Sequence, residues 1–226
     1  MYDKLLIISI ARSGSTFAYN TFMNRDTRIE TSMDHQMLTN EPFDKSDYNT
    51  IYKYTDCSTN IISKVHVRHI KEHSLNNYIN LFDTKLVMLR KSLFEASLSL
   101  AVSIKKEQWG VVRPMNNSVV DIDLEELSTN IQIVWQDMRY ILSMQQQWDV
   151  QHILWLEDYD TDAKLWNTVT DTHSTSTELF KTHISPNKQN TVSNYTECWE
   201  HYLKIENMLS PISNVSLHNG IVTYEN

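Results

Sequence analysis

Five residues between an apolar run and a helix-like stretch carry the most chemistry in this sequence: Arg12, Ser13, Gly14, Ser15 and Thr16. A guanidinium, three hydroxyls and a glycine at a strand-to-helix junction suit an anion. The first turn of a helix presents unpaired N–H groups and the positive end of its dipole. A glycine permits a positive φ or close approach of backbone to ligand, and an arginine fork matches phosphate or sulfate oxygens. Counting sharpens the point: the 226 residues include only three glycines, where average usage would give roughly 16. The loop is nevertheless not the common phosphate loop. G-x-x-x-x-G-K-[ST] needs an upstream glycine and a lysine, and neither is present. Without them, the Mg²⁺-assisted chemistry of ordinary kinases and GTPases is not expected.

The elements that must position this loop follow from the apolar pattern. Lys4 to Ala11, Ile61 to Val67, Lys85 to Arg90 and Gln151 to Leu156 read as short buried strands. Helices are expected over Ser15 to Asn24, after Val67 through Phe82, after Ser92, over Asp123 to Trp148, around Ala163 to Thr170 and over Tyr195 to Leu209. Ser92 is placed to cap its helix, with Glu95 at the capping-box position. Residues 107 to 122 read as a long loop. Strands alternating with helix-length connections predict an α/β fold of three layers, a mostly parallel central sheet flanked by helices, in one domain. In such sheets ligands bind beyond the carboxyl ends of the strands. The residues to watch are therefore Arg12 to Thr16, His66 to His69, Arg90 to Ser92 and Glu157 to Tyr159.

Composition narrows the class. Hydrophobic residues make up 41% and charged residues 21%, as in a globular domain, and the net charge of −8 argues against a nucleic-acid-coating surface. Two distant cysteines, Cys57 and Cys198, make neither a disulfide framework nor a zinc motif, which fits a reducing, cytoplasmic setting. The first apolar run is too short to span a membrane, and no signal-peptide pattern opens the chain.

The sequence A-R-S-G-S-T-F between strand and helix resembles the 5′-phosphosulfate loop of sulfotransferases that use 3′-phosphoadenosine 5′-phosphosulfate (PAPS). The resemblance implies a P-loop NTPase-like fold, with Arg12, Ser13, Gly14, Ser15, Thr16 and Phe17 on the 5′-phosphate and the sulfuryl group. Residues LVMLRKSLFEASLSLAVS resemble the family's 3′-phosphate segment, in the version of the trehalose-sulfotransferase-like branch. Arg90 then takes the 3′-phosphate with Ser99, or with Ser97 as its rival. Lys188 and Gln189 fall where the family often keeps a late basic loop to the nucleotide. W-L-E-D resembles a strand-end family segment in which Glu157 has a structural role.

In-line sulfuryl transfer from PAPS to a hydroxyl or amine releases adenosine 3′,5′-bisphosphate. It calls for donors on the sulfuryl oxygens, Arg12 among them, and a base for the acceptor. N-E-P-F resembles the branch segment whose glutamate is the proposed base, which singles out Glu41. His66, at the end of the second strand candidate, is the alternative. Lys64 shares a strand face with His66, and Lys64, His69 and the loop after Gln108 are expected to face the acceptor, a carbohydrate or other small molecule. His66, His69 and His73 are spaced like metal ligands, but they straddle a strand and a helix, so no metal is expected. Two other classes stay open: a small-molecule kinase with a degenerate loop, which predicts Mg²⁺-dependent ATP binding, and a non-catalytic nucleotide-binding module.

Overall fold

A computed structural model of the chain describes residues 4–16, 18–19, 29–30, 53, 55–56, 61–107, 118–158 and 188–224. It divides into two compact units, Met1–Leu89 with Ile141–Leu179, and Arg90–Tyr140 with Phe180–Asn226.

The first unit holds a five-stranded parallel sheet. Its strands are β1 (Lys4–Ser9), β2 (Ile29–Glu30), β3 (Ile61–His66), β4 (Thr84–Leu89) and β5 (His152–Trp155), in the spatial order β2-β3-β1-β4-β5. β1 is therefore central, with Ile7 opposite Lys64 of β3 and Leu86 of β4. Near-continuous apolar burial along β1 and β4 is what a parallel sheet covered on both faces requires.

Two side-chain contacts show which helix covers which face. Strand alternation puts Ser63 and Lys64 on opposite faces. The Ser63 hydroxyl accepts from Tyr78 OH at 3.0 Å, and the Lys64 ammonium donates to Thr16 Oγ1 at 3.0 Å. Tyr78 lies in α2 (Asn76–Ile79), which follows α1 (Val67–His73). Thr16 lies in the helical turn after β1, whose first bond runs from Ala18 N–H to Gly14 C=O at 2.9 Å. The sheet is thus sandwiched, giving the three-layer α/β fold. Leu5, Ile7, Ile62, Leu86, Met88 and Leu154 pack with Ala18 and Tyr19 as the core of the loop's face. The single helix expected after β3 is two, because Ser74 adopts a left-handed φ of 54° and closes α1 with a bond to Ile70 C=O.

The second unit is helical with a small hairpin: α3 (Leu93–Lys105), most of α4 (Leu124–Met144), α5 (Tyr195–Glu206), and the antiparallel pair β6 (Val215–His218) and β7 (Ile221–Tyr224). Ser92 caps α3 as expected, accepting from Glu95 N–H at 3.2 Å, and Asp123 caps α4 through two 2.9 Å bonds to Glu125 and Glu126 N–H. Phe94 of α3 meets Tyr195, Trp199 and Tyr202 of α5 at ring separations of 5.5, 4.9 and 5.3 Å. Such tilted aromatic contacts add to the area they bury. The hairpin was not expected. Its signal, Asn219-Gly220 between two short β-prone runs, is present in the sequence. The helix expected around Ala163 to Thr170 lies outside the described residues.

Burial pushes the Tyr78 phenol up to about 12. An unfolded chain ionises that phenol near pH 10 while the folded one keeps its proton, so folding stability falls as pH rises from about 10 to 12. Tyr78→Phe is expected to flatten that decline. It should also cost about 1 kcal/mol at neutral pH, because the buried Ser63 loses its partner. Urea unfolding at pH 7, 10 and 11 measures both effects.

Candidate functional site

The loop sits at the carboxyl end of the central strand, where a parallel sheet leaves room for a ligand. Its backbone is strained in a defined way. Arg12 has φ 62° and Gly14 φ 80°, with Ser13 between them. A non-glycine residue in the left-handed region costs about 1–2 kcal/mol. Left-handed residues alternating with ordinary ones turn neighbouring amides toward one side, the geometry of an anion-binding nest. Gly14 has a second reason to be glycine: a Cβ there would lie 2.6 Å from Leu156 Cδ1, in the single 3-10 turn (Leu156–Asp158) that follows β5. The glycine thus answers both the turn and the close approach of Leu156, and the second was invisible in the sequence. Glu157 sits in that same 3-10 turn.

The three hydroxyls are not equivalent. Ser13 is fully buried and its hydroxyl donates to Ile10 C=O at 3.0 Å, so its side chain ties the loop to the end of β1. Ser15 is half-buried in the helical turn. Thr16 accepts from Lys64 Nζ and can still donate its own O–H.

Lys64, expected to face an acceptor, is 5% exposed and reaches across from β3 to the first turn of the loop's helix. The loop's own sequence has no lysine, yet the fold delivers an ammonium to it from the neighbouring strand. Register makes this possible: Lys64 lies beside Ile7 on β1, one strand away and two residues short of the strand's end. Ser9 is a residue the sequence reading passed over. It pairs in register with His66 and Met88, and strand alternation puts it on the Lys64 face. Fully buried, its hydroxyl has no hydrogen-bond partner among the described residues. The only sequence signal was one serine in an otherwise apolar strand.

His66 ends β3 and caps α1. Its Nδ1 accepts from Arg68 N–H at 3.3 Å, with the backbone extended at φ −81° and ψ 139°. A neutral imidazole that accepts at Nδ1 carries its proton on Nε2. So placed, His66 offers a donor at Nε2, and acting there as a base would require giving up the cap. His69 lies on α1 with its ring 5.7 Å from that of His66. Among the described residues no group of three His, Cys, Asp or Glu side chains gathers as a metal site.

The second unit holds the residues expected to meet a 3′-phosphate. Arg90 Nη1 donates to Glu95 C=O at 3.4 Å. Ser97 is fully buried and donates back to Leu93 C=O at 2.8 Å, the local helix bond that commits its hydrogen. Ser99 lies about 200° away around the helix, and its carbonyl accepts from Ser103 at 2.8 Å. The 3-10 turn Lys188–Asn190 packs on α3, so the unit brings the buried Lys188 to the helix that carries Ser99. Gln189 hydrogen-bonds Tyr195, whose hydroxyl donates to Glu95 Oε1 at 2.9 Å, and burial with the Glu95 carboxylate pushes the Tyr195 phenol up to about 12. Glu41, Phe17 and the loop after Gln108 lie outside the described residues.

Gly14→Ala is expected to cost about 1–2 kcal/mol through the positive φ, with a further 1–3 from overlap with Leu156. Adding Leu156→Ala should recover the overlap part only, so a double-mutant cycle by urea unfolding gives a coupling of opposite sign to the single losses. His66→Ala should lose about 1 kcal/mol and His66→Asn almost none, because Asn can keep the cap. Nitrogen chemical shifts of the His66 ring should report a proton on Nε2.

Among the described residues no helix is long and apolar enough to cross a membrane. No protein-family model matches the sequence, and no curated protein shows a significant match to it.

Proposed function

We propose that the chain is a PAPS-dependent sulfotransferase that passes a sulfuryl group to a hydroxyl or amine of a carbohydrate or other small molecule. The observation that carries this reading is the bond from Lys64 Nζ to Thr16 Oγ1 at the strained Arg12–Gly14 turn. It puts a buried cation, an arginine and a helix start at one strand end, without the lysine that a nucleoside triphosphate loop keeps within itself. Arg12, the amides of the turn, Ser15 and Thr16 would bind the 5′-phosphosulfate. Lys64 would take up charge that builds on the bridging oxygen as the sulfur–oxygen bond breaks, since a cation held in a water-poor site stabilises developing charge best. The leaving group is adenosine 3′,5′-bisphosphate, and the acceptor's proton goes to a base. The His66 cap disfavours His66 in that role, which leaves Glu41, carried by the resemblance of N-E-P-F. Arg90 with Ser99 keeps the 3′-phosphate assignment made from the sequence. Phe17 stays with the 5′-phosphosulfate loop, and Lys188 with the nucleotide.

The same lysine favours a second reading. An amine at a loop threonine is also what a kinase needs for β- and γ-phosphates. The two readings part over magnesium: a kinase binds ATP tightly only with Mg²⁺, whereas sulfuryl transfer from PAPS needs none.

Isothermal titration is expected to show adenosine 3′,5′-bisphosphate binding without metal and more tightly than adenosine 5′-phosphate. Equal affinities, or no binding at high micromolar ligand, would overturn the assignment. Lys64→Met should weaken both nucleotides by roughly 10- to 100-fold, the worth of a charge-assisted bond, while keeping their ratio.

A further inference from the structure

The C-terminal hairpin does more than close the chain. Its second strand, β7, continues the antiparallel ladder onto Lys91–Leu93: Val222 N–H donates to Lys91 C=O and Leu93 N–H to Gly220 C=O, both at 2.8 Å, around an antiparallel bridge between Ser92 and Ile221. Leu93 is the first residue of α3, where a backbone N–H ordinarily has no partner within the helix. The hairpin supplies that partner. Ser92 works twice, its backbone bridged to β7 and its hydroxyl capping α3.

The hairpin is itself held at the turn. Asn219 and Gly220 both take positive φ, 48° and 76°, as a tight hairpin turn demands. Gly220 N–H donates to Glu206 Oε2 of α5 at 2.6 Å, a charge-assisted bond. A Cβ at Gly220 would stand 3.2 Å from the Trp199 ring and 3.4 Å from the Tyr202 ring, so α5 packs tightly against the turn and would have to yield by a few tenths of an ångström to admit a side chain. A continuous path of short contacts therefore runs from Glu206 through Gly220 to Ser92, two residues from Arg90. Arg90 is fixed from the other side as well, by its bond to Glu95 C=O in the first turn of α3.

We infer that the hairpin is a positioning element for Arg90: by pinning Lys91–Leu93 to α5 through Gly220 and Glu206, it sets the geometry with which Arg90 recognises a phosphate. The inference rests on the proposed reading for the identity of that phosphate, the 3′-phosphate of the sulfuryl donor. An arginine contributes selectivity only while its fork is held to the oxygens it meets, and a small misplacement loses most of it. The residues that set nucleotide preference would then include Gly220 and Glu206, which touch no ligand and sit more than a hundred positions from Arg90.

Two measurements on the full chain test this, with Gly220→Ala and Glu206→Ala as variants and Thr223→Val as control. Thr223 is exposed, and its hydroxyl pairs across the hairpin with that of Ser216. The first measurement is amide hydrogen exchange. Both variants should speed exchange at Val222 and Leu93 while leaving β1 protected, and Thr223→Val should not. Unchanged exchange at Leu93 in both variants would overturn the pinning. The second is the ratio of affinities for adenosine 3′,5′-bisphosphate and adenosine 5′-phosphate. It should fall by roughly tenfold in the variants with the affinity for adenosine 5′-phosphate unchanged. A loosened seam with an intact ratio would overturn the link to recognition. If the parent protein shows no preference between the nucleotides, the sulfotransferase reading and the recognition claim fall together, while the exchange result still decides the pinning. If Gly220→Ala does not fold, Glu206→Ala alone decides, since it removes the acceptor without altering the turn's backbone.

Discussion

The contact on which the candidate site depends is the 3.0 Å bond between Lys64 Nζ and Thr16 Oγ1. It joins β3 to the helical turn after β1, over the core that Leu5, Ile7 and Ile62 share with Ala18 and Tyr19. A buried lysine end is costly to desolvate, and it is tolerated where several acceptors or anions can meet it. The same bond ties the loop to the neighbouring strand. Ser13 binds the loop down to Ile10, the positive φ values at Arg12 and Gly14 shape it, Leu156 packs on its glycine, and Lys64 adds charge from the side. Each of these constraints is local to the carboxyl end of the sheet.

Sequence and structure meet unevenly at this site. The strands were legible because buried parallel strands are short apolar runs, and the cap at Ser92 because serine followed three residues later by glutamate has a direct physical reading. Gly14 was legible as a required glycine, from its rarity, but only half of the reason was. The φ demand belongs to the loop, whereas the contact with Leu156 comes from a residue more than a hundred positions away. Lys64 is legible in the sequence as chemically interesting, but its contact with Thr16 is not, since which strand lies beside β1 is set by long-range pairing and not by local pattern. The same limit applies to His66. Its place at a strand end was expected, but the cap that fixes its tautomer depends on α1 starting one residue later.

The second unit shows the opposite failure, a local signal overlooked. Asn219-Gly220 between Val215–His218 and Ile221–Tyr224 is a strong short-hairpin signal, and no strand was expected there. Ser97 and Ser99 are both buried serines on one helix, and the bond from the Ser97 hydroxyl to Leu93 C=O is a local contact that their spacing from Arg90 does not reveal.

What the Arg12–Thr16 loop and Lys64 hold decides between the readings of this site. The most direct measurement is a crystal structure of the chain with adenosine 3′,5′-bisphosphate. The 5′-phosphate is expected within hydrogen-bond reach of the Gly14 to Thr16 amides and of Lys64 Nζ, without a metal ion. A nucleotide bound away from this loop, or a phosphate reached there only through Mg²⁺, would contradict it.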